Sequence, residues 1–184
     1  NSTTNTYGHG LGAEPKMIIL KRTNGTEEWY VYHKELGNTS RVQLNSTAAV
    51  TTGSGVWGST TPTSSVFTIQ SFNAGDFVAY CWSEISGYSK FGSYSGSSSD
   101  VTVTTGFKPR FILIKCTDTS GQEWIIKDNV RGGDKYLHAN DSSAEATGRD
   151  VTFNSDGFTL AHSQGPTNYN GRTYIYAAFA DKPD

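Results

Sequence analysis

The sequence predicts an all-β fold, and three observations predict it. Short runs rich in Val, Ile, Phe, Tyr and Thr alternate with clusters of Gly, Asn, Asp, Ser and Thr, the pattern of strands joined by turns. No window sustains an apolar period of 3.6 residues over helical length. Aromatic residues make up 12% of the chain and glycines number 20, so strand formers and turn formers are both plentiful.

Thirteen segments meet the strand pattern. "KMIILKR" (16–22) follows a Gly-x-x-Pro opening, and a proline suits the start of a strand because it cannot donate to a ladder. "EWYVYH" (28–33) is aromatic and β-branched; "RVQLN" (41–45) and "SVFTIQS" (65–71) alternate apolar with polar residues. "FVAYCWSEI" (77–85) sets Phe77, Ala79 and Cys81 on one face and Val78, Tyr80 and Trp82 on the other. Both faces are mostly apolar, which predicts a central strand between layers. "YSKFGSYSG" (88–96) and "VTVTTG" (101–106) come next, before "RFILIKCT" (110–117), "EWIIKD" (123–128) and "KYLHAN" (135–140). "VTFNS" (151–155) and "GFTLAHS" (157–163) flank "NSDGF", read as a hairpin turn with Asp156 and Gly157 as its positive-φ pair. "TYIYAAFAD" (173–181) closes the series.

The chain repeats itself. Gly12, Pro15, Lys16, Ile18 and Lys21 are matched 94 positions later by Gly106, Pro109, Arg110, Ile112 and Lys115. Glu28 and Trp29 return as Glu123 and Trp124, Asn45 as Asn140, and "FVAYCWSE" as "YIYAAFAD". A period this long exceeds that of solenoids and propellers. It predicts two tandem antiparallel β-modules, 1–86 and 87–184, related by a pseudo-twofold axis and packed as a sandwich-like unit. The matched residues build the scaffold, so function is sought where the copies differ.

Composition excludes several partners. Charged residues are 17% of the chain, scattered, with a net charge of −2, which leaves no basic field for a nucleic acid or a polybasic membrane contact. No run approaches the roughly 18 apolar residues of a membrane helix, so no membrane insertion is expected. The chain opens on Asn1 rather than Met, as expected for a piece of a longer polypeptide or a trimmed one.

Catalytic and metal motifs are missing from the sequence. The two cysteines, Cys81 and Cys116, align with Ala178 and Arg22, so they read as free thiols in apolar strands. There is no C-x-x-C, H-x-H or H-E-x-x-H spacing, so no zinc site is expected. No EF-hand loop and no G-x-S-x-G elbow occurs. No catalytic residue, metal ligand or cofactor is therefore assigned, with calcium held by scattered loop oxygens as an open alternative. Five N-x-[ST] sequons, at Asn1, Asn24, Asn38, Asn45 and Asn140, matter only in a eukaryotic secretory pathway.

Candidate ligand-binding residues come from the diverged loops. "TTGSGVWGSTTPTSS" (51–65) sets Trp57 among glycines and polar residues. "AHSQGPTNYNGRT" (161–173) gathers His162, Gln164, Asn168, Tyr169 and Asn170, and "VRGGDKYLH" (130–138) adds Arg131. An aromatic ring beside amides and hydroxyls suits a sugar, with CH–π packing on the ring and hydrogen bonds at the rim. An arginine suits an acidic sugar. The bland alternatives are a hairpin turn at Asn170 and Gly171, and a Trp57 folded back onto the sandwich.

"TYGHGLGAEPKMIILKR", "VYHKELG", "LNSTAAV", "FVAYCWSEISGYSKFGSYSG", "TGFKPRFILIK" and "TYIYAAFADKP" together resemble a duplicated β-module of bacteriophage tail-fibre-like proteins, of marine and cyanophage type, which often lies beside concanavalin-like lectin domains. The resemblance implies an extracellular virion surface protein for host adhesion, with bacterial surface glycan and further copies of itself as partners. A structural virion decoration or filament subunit, and a polysaccharide depolymerase, are the alternatives. It also implies that a strand like "YSKFGSYSG" should precede the first copy, where only "NSTTNTYGHGL" stands. The first copy is thus expected to lack its leading strand and to expose an edge, to be completed by a neighbouring copy or by a longer chain.

Overall fold

The computed structural model describes residues 4–53, 55–70, 75–162 and 164–181. It is almost all β, as expected, with one short 3₁₀ turn at Gly55–Trp57 among the described residues. No helix in them is long and apolar enough to cross a membrane. The chain divides into two compact units, Asn1–Asn45 with Val50–Ser83, and Ser46–Ala49 with Glu84–Asp184.

In the first unit the strands are β1 (Thr4–Gly8), β2 (Met17–Arg22), β3 (Tyr30–His33), β4 (Ser40–Gln43), β5 (Thr51–Thr52), β6 (Val66–Gln70) and β7 (Phe77–Trp82). They form an antiparallel sheet in the order β5-β4-β3-β2-β7 and a two-stranded sheet, β1-β6. Strand alternation turns Ile18, Leu20, Tyr30 and Tyr32 inward against Phe67 and Ile69 of β6, with Phe77, Ala79 and Cys81 packed alongside.

The second unit repeats this plan and extends it. Its strands are β8 (Ser89–Ser95), β9 (Val101–Thr104), β10 (Phe111–Cys116), β11 (Trp124–Asp128), β12 (Lys135–His138), β13 (Ala146–Thr147), β14 (Val151–Asn154), β15 (Gly157–Leu160) and β16 (Thr173–Phe179). The larger sheet runs β13-β12-β11-β10-β16-β8 and the smaller β14-β15-β9. Ile112, Ile114, Cys116, Tyr174, Tyr176 and Ala178 meet Val103, Val151, Phe158 and Leu160 in its core.

The duplication survives at the level of single hydrogen bonds. Lys16 N–H donates to Trp82 O at 2.7 Å, and its counterpart Arg110 N–H donates to Phe179 O at 2.7 Å. Trp29 N–H donates to Asn45 Oδ1 at 3.0 Å, and Trp124 N–H to Asn140 Oδ1 at 2.8 Å. The repeated asparagines therefore seat the start of the second hairpin strand in each unit.

Three local expectations need correction. β1 is a strand that the sequence pattern missed; it pairs with β6 as β9 pairs with β15, so it is the counterpart of β9. Two strands of the second unit, β8 and β14, have no counterpart among the described residues of the first, and β8 is the one that covers β16. Second, β7 is not central: it ends its sheet, and Tyr80 is 46% exposed. Third, Asp156 and Gly157 have no positive φ. Asn154 pairs with Gly157 across a turn made of Ser155 and Asp156. Gly157 is required by close approach instead, since a Cβ there would lie 2.0 Å from Val103 O.

Two lysines are wholly buried in the second unit. Lys115 Nζ donates to Gln122 O at 2.5 Å, and Lys127 Nζ donates to Gly133 O at 2.7 Å and Gly148 O at 3.1 Å. Both thus staple loops that leave the sheet. Loss of solvent pushes each ammonium down to about 8. Between about pH 8 and the ordinary lysine value the unfolded chain binds more protons than the folded one, so this contribution to stability rises with pH. Cys116 opposes it, because burial raises the thiol and the unfolded chain loses that proton first. The second unit is expected to gain about 1 kcal/mol between pH 8 and pH 9, read from urea midpoints. Lys127→Met should flatten that rise, and a midpoint that falls in the wild type over the interval contradicts the account.

Candidate functional site

Residues 161–162 and 164–172 lie in the connection from β15 to β16 of the second unit. Asn168 is wholly buried, and its amide ties three stretches of chain together. Its Nδ2 donates to Ser99 O at 3.0 Å, Leu160 O at 3.3 Å and Ala161 O at 3.2 Å, while Oδ1 accepts from Ser97 N–H at 2.8 Å. The adjoining turn closes on itself through Gln164 N–H to Asn168 O at 2.9 Å. Below it, Tyr174 Oη accepts from Tyr169 N–H at 3.0 Å and donates to Gly165 O at 2.7 Å. Tyr94 Oη donates to Thr167 O at 2.5 Å.

On this fixed base Tyr169 stands half exposed. The Arg172 guanidinium lies 4.6 Å from its ring centroid, a cation–π contact that orients both side chains. Gly96 is required by close approach of the backbone at this turn, since a Cβ there would lie 2.1 Å from Tyr169 O. Asn170 is exposed and Gln164 half-buried. His162 is exposed beside Asp100, its N–H and Nδ1 each 2.9 Å from Asp100 Oδ1. The His162 contacts hold the Asp100 carboxyl below its ordinary value. The stretch therefore offers a half-exposed aromatic ring with a cation stacked on it, and the same loop carries the exposed Asn170 and the His162–Asp100 pair.

Three of the sequence-derived candidates do not present a free binding group. Trp57 is 1% exposed, in the core of the first unit, with its ring edge-on to Tyr32 at 5.7 Å. It cannot stack on a sugar. The 3₁₀ turn at Gly55–Trp57 turns the indole inward, before β6 in chain order, where the second unit instead has β14 with Val151 and Phe153 in its core. Asn168 is structural, as its four contacts show. Arg131 is neutralised by Asp128 at 2.5 Å and Glu145 at 3.5 Å.

A second cluster carries no sequence signature. Glu123, His138 and Asp141 offer ligand atoms within 4.8 Å of one another. His138 Nδ1 is 3.0 Å from Asp141 Oδ2, Asn140 Nδ2 donates to Glu123 Oε2, and the buried His138 Nε2 has no hydrogen-bond partner among the described residues. The side chains come from the start of β11 and the end of β12, which the hairpin brings together, so no short spacing could announce them. Three donors are one short of a closed tetrahedral site. The first unit places Glu28, Gln43 and Ser46 at the matching positions, so the cluster belongs to the second copy alone.

Residues 1–183 match the DUF7483 family, described as a domain of unknown function. The chain belongs to that family. No curated protein and no solved structure matches the DUF7483 chain.

Proposed function

We propose that this DUF7483 chain is a non-catalytic adhesion module of an extracellular virion surface or tail-fibre-like assembly, which recognises bacterial surface carbohydrate at the β15–β16 connection of its second unit. The observation that carries the reading is Tyr169. A large ring stands half in solvent above the buried hydrogen bonds of Asn168 and Tyr174. A sugar's C–H face fits a ring presented in this way. Arg172, Asn170 and His162 supply rim donors for hydroxyl or carboxylate groups. A single shallow site of this kind binds weakly, but copies arrayed on a fibre gain about 10² to 10⁴ in avidity.

The test is affinity electrophoresis in gels cast with bacterial surface polysaccharides. Retardation of the wild type, and a drop of about tenfold or more in apparent affinity for Tyr169→Ala, is the expected outcome. Equal mobility in every gel assigns the chain to the structural-subunit alternative. Release of reducing ends from the polysaccharide assigns it to the depolymerase alternative.

A further inference from the structure

We propose that β7 is an acceptor edge, which takes an extended polypeptide strand from outside the two units in an antiparallel pairing. The occupant carries a large apolar residue opposite Ala79 and a small residue opposite Tyr80. The inference rests on comparing the two copies, and it deepens the assembly side of the proposed function without depending on glycan binding.

The direction of the backbone groups follows from register. Trp82 O and Asp76 O accept from Lys16 and Thr23 N–H groups, so the even positions of β7 face β2. Antiparallel alternation then sends the N–H and C=O of Ala79 and Cys81 to the other side. Among the described residues no strand pairs there. In the second unit the same side of β16 is filled by β8, from Thr173 opposite Ser95 to Phe179 opposite Ser89. Tyr174, Ile175, Tyr176, Ala177 and Ala178 are all buried, while no residue of β7 is.

Edges left open in native proteins are usually short, charged, bulged or interrupted by proline. The outer strands β5 and β13 follow that rule, at two residues each. β7 has six residues, FVAYCW, with no charge and no proline. It has the composition of a strand that expects a neighbour, and a sheet edge of this kind binds peptides by strand addition.

Side-chain size then specifies the neighbour. In the second unit Gly92 lies opposite Tyr176 and Phe91 opposite Ala177. A Cβ on Gly92 would lie 2.8 Å from Tyr176 Oη, so the small residue answers the large one. In β7 the sizes are exchanged: Ala79 stands at the Tyr176 position and Tyr80 at the Ala177 position. A donor must exchange its sizes too. The strand β8 itself fits β7 less well, since its Gly92 would leave space over Ala79.

Two peptides spanning β8, extended to 88–96, test this against the intact chain. One has the natural sequence and the other carries Phe91→Ala and Gly92→Phe. Fluorescence anisotropy is expected to show saturable one-to-one binding of the exchanged peptide, at least about tenfold tighter than the natural one. N-methylation at positions 90 and 92, whose N–H groups face the acceptor, should abolish binding, and methylation at 91 and 93 should leave it. These peptides leave the fold untouched, and the Tyr169→Ala chain should bind them as the wild type does. Absence of binding by both peptides, or binding indifferent to size exchange and to the position of methylation, overturns the proposal. So does a dimer in sedimentation that excludes the peptide, since β7 would then pair with a second copy.

Discussion

Trp57→Ala is expected to remove about 3 to 5 kcal/mol from the stability of the first unit, the range for truncating a buried tryptophan to alanine. The indole fills the space beneath Tyr32, Phe67 and Ile69, and the short turn that carries it offers little means of collapse. Its Nε1 has no hydrogen-bond partner among the described residues, so the loss is one of packing. Trp57→Phe should therefore recover most of the stability. Urea unfolding followed by near-ultraviolet circular dichroism measures both variants. A change within about 0.5 kcal/mol for Trp57→Ala, the usual size for a surface substitution, would show that the ring is exposed in solution.

Asn168→Ala carries the second large effect. It strips partners from Ser97 N–H and from the carbonyls of Ser99, Leu160 and Ala161. A buried polar group left without a partner costs about 1 to 3 kcal/mol. Because the four groups relax together, the expected total is about 3 kcal/mol rather than the sum. Amide exchange at residues 97–100 and 161–169 should accelerate well before global unfolding does. Asn170→Ala, two residues along but exposed, should stay within about 0.5 kcal/mol. Equal effects from the two would contradict the assigned roles.

The contrast between Asn168 and Asn170 marks what the sequence could convey. Strands rich in Val, Ile and aromatic residues were legible because period-two patterning and the internal repeat reinforce each other, as "KMIILKR" and "RFILIKCT" do at β2 and β10. Asn168, Tyr169 and Asn170 look alike in composition, yet one is core, one a half-exposed ring and one solvent-facing. Only the hydrogen bonds across 97–100 and 160–168 separate them. Trp57 misled for a related reason: its neighbours are glycine, serine and threonine, but a 3₁₀ turn reverses the chain and buries it. The Glu123–His138–Asp141 cluster was invisible because a hairpin, and not a local spacing, assembles it. β7 reads as central by hydrophobicity, and that reading holds for its counterpart β16. What fails is the neighbour, since β8 has no counterpart in the first unit.

Sugar binding through Tyr169 of the second unit is the proposal that an array decides. The most direct measurement is a glycan array of bacterial surface sugars, probed with multivalently displayed chain, with and without calcium. Wild type and Trp57→Phe should bind the same glycans, and Tyr169→Ala should bind none of them. Binding that persists undiminished in Tyr169→Ala, or a blank array with folded wild type, would contradict it.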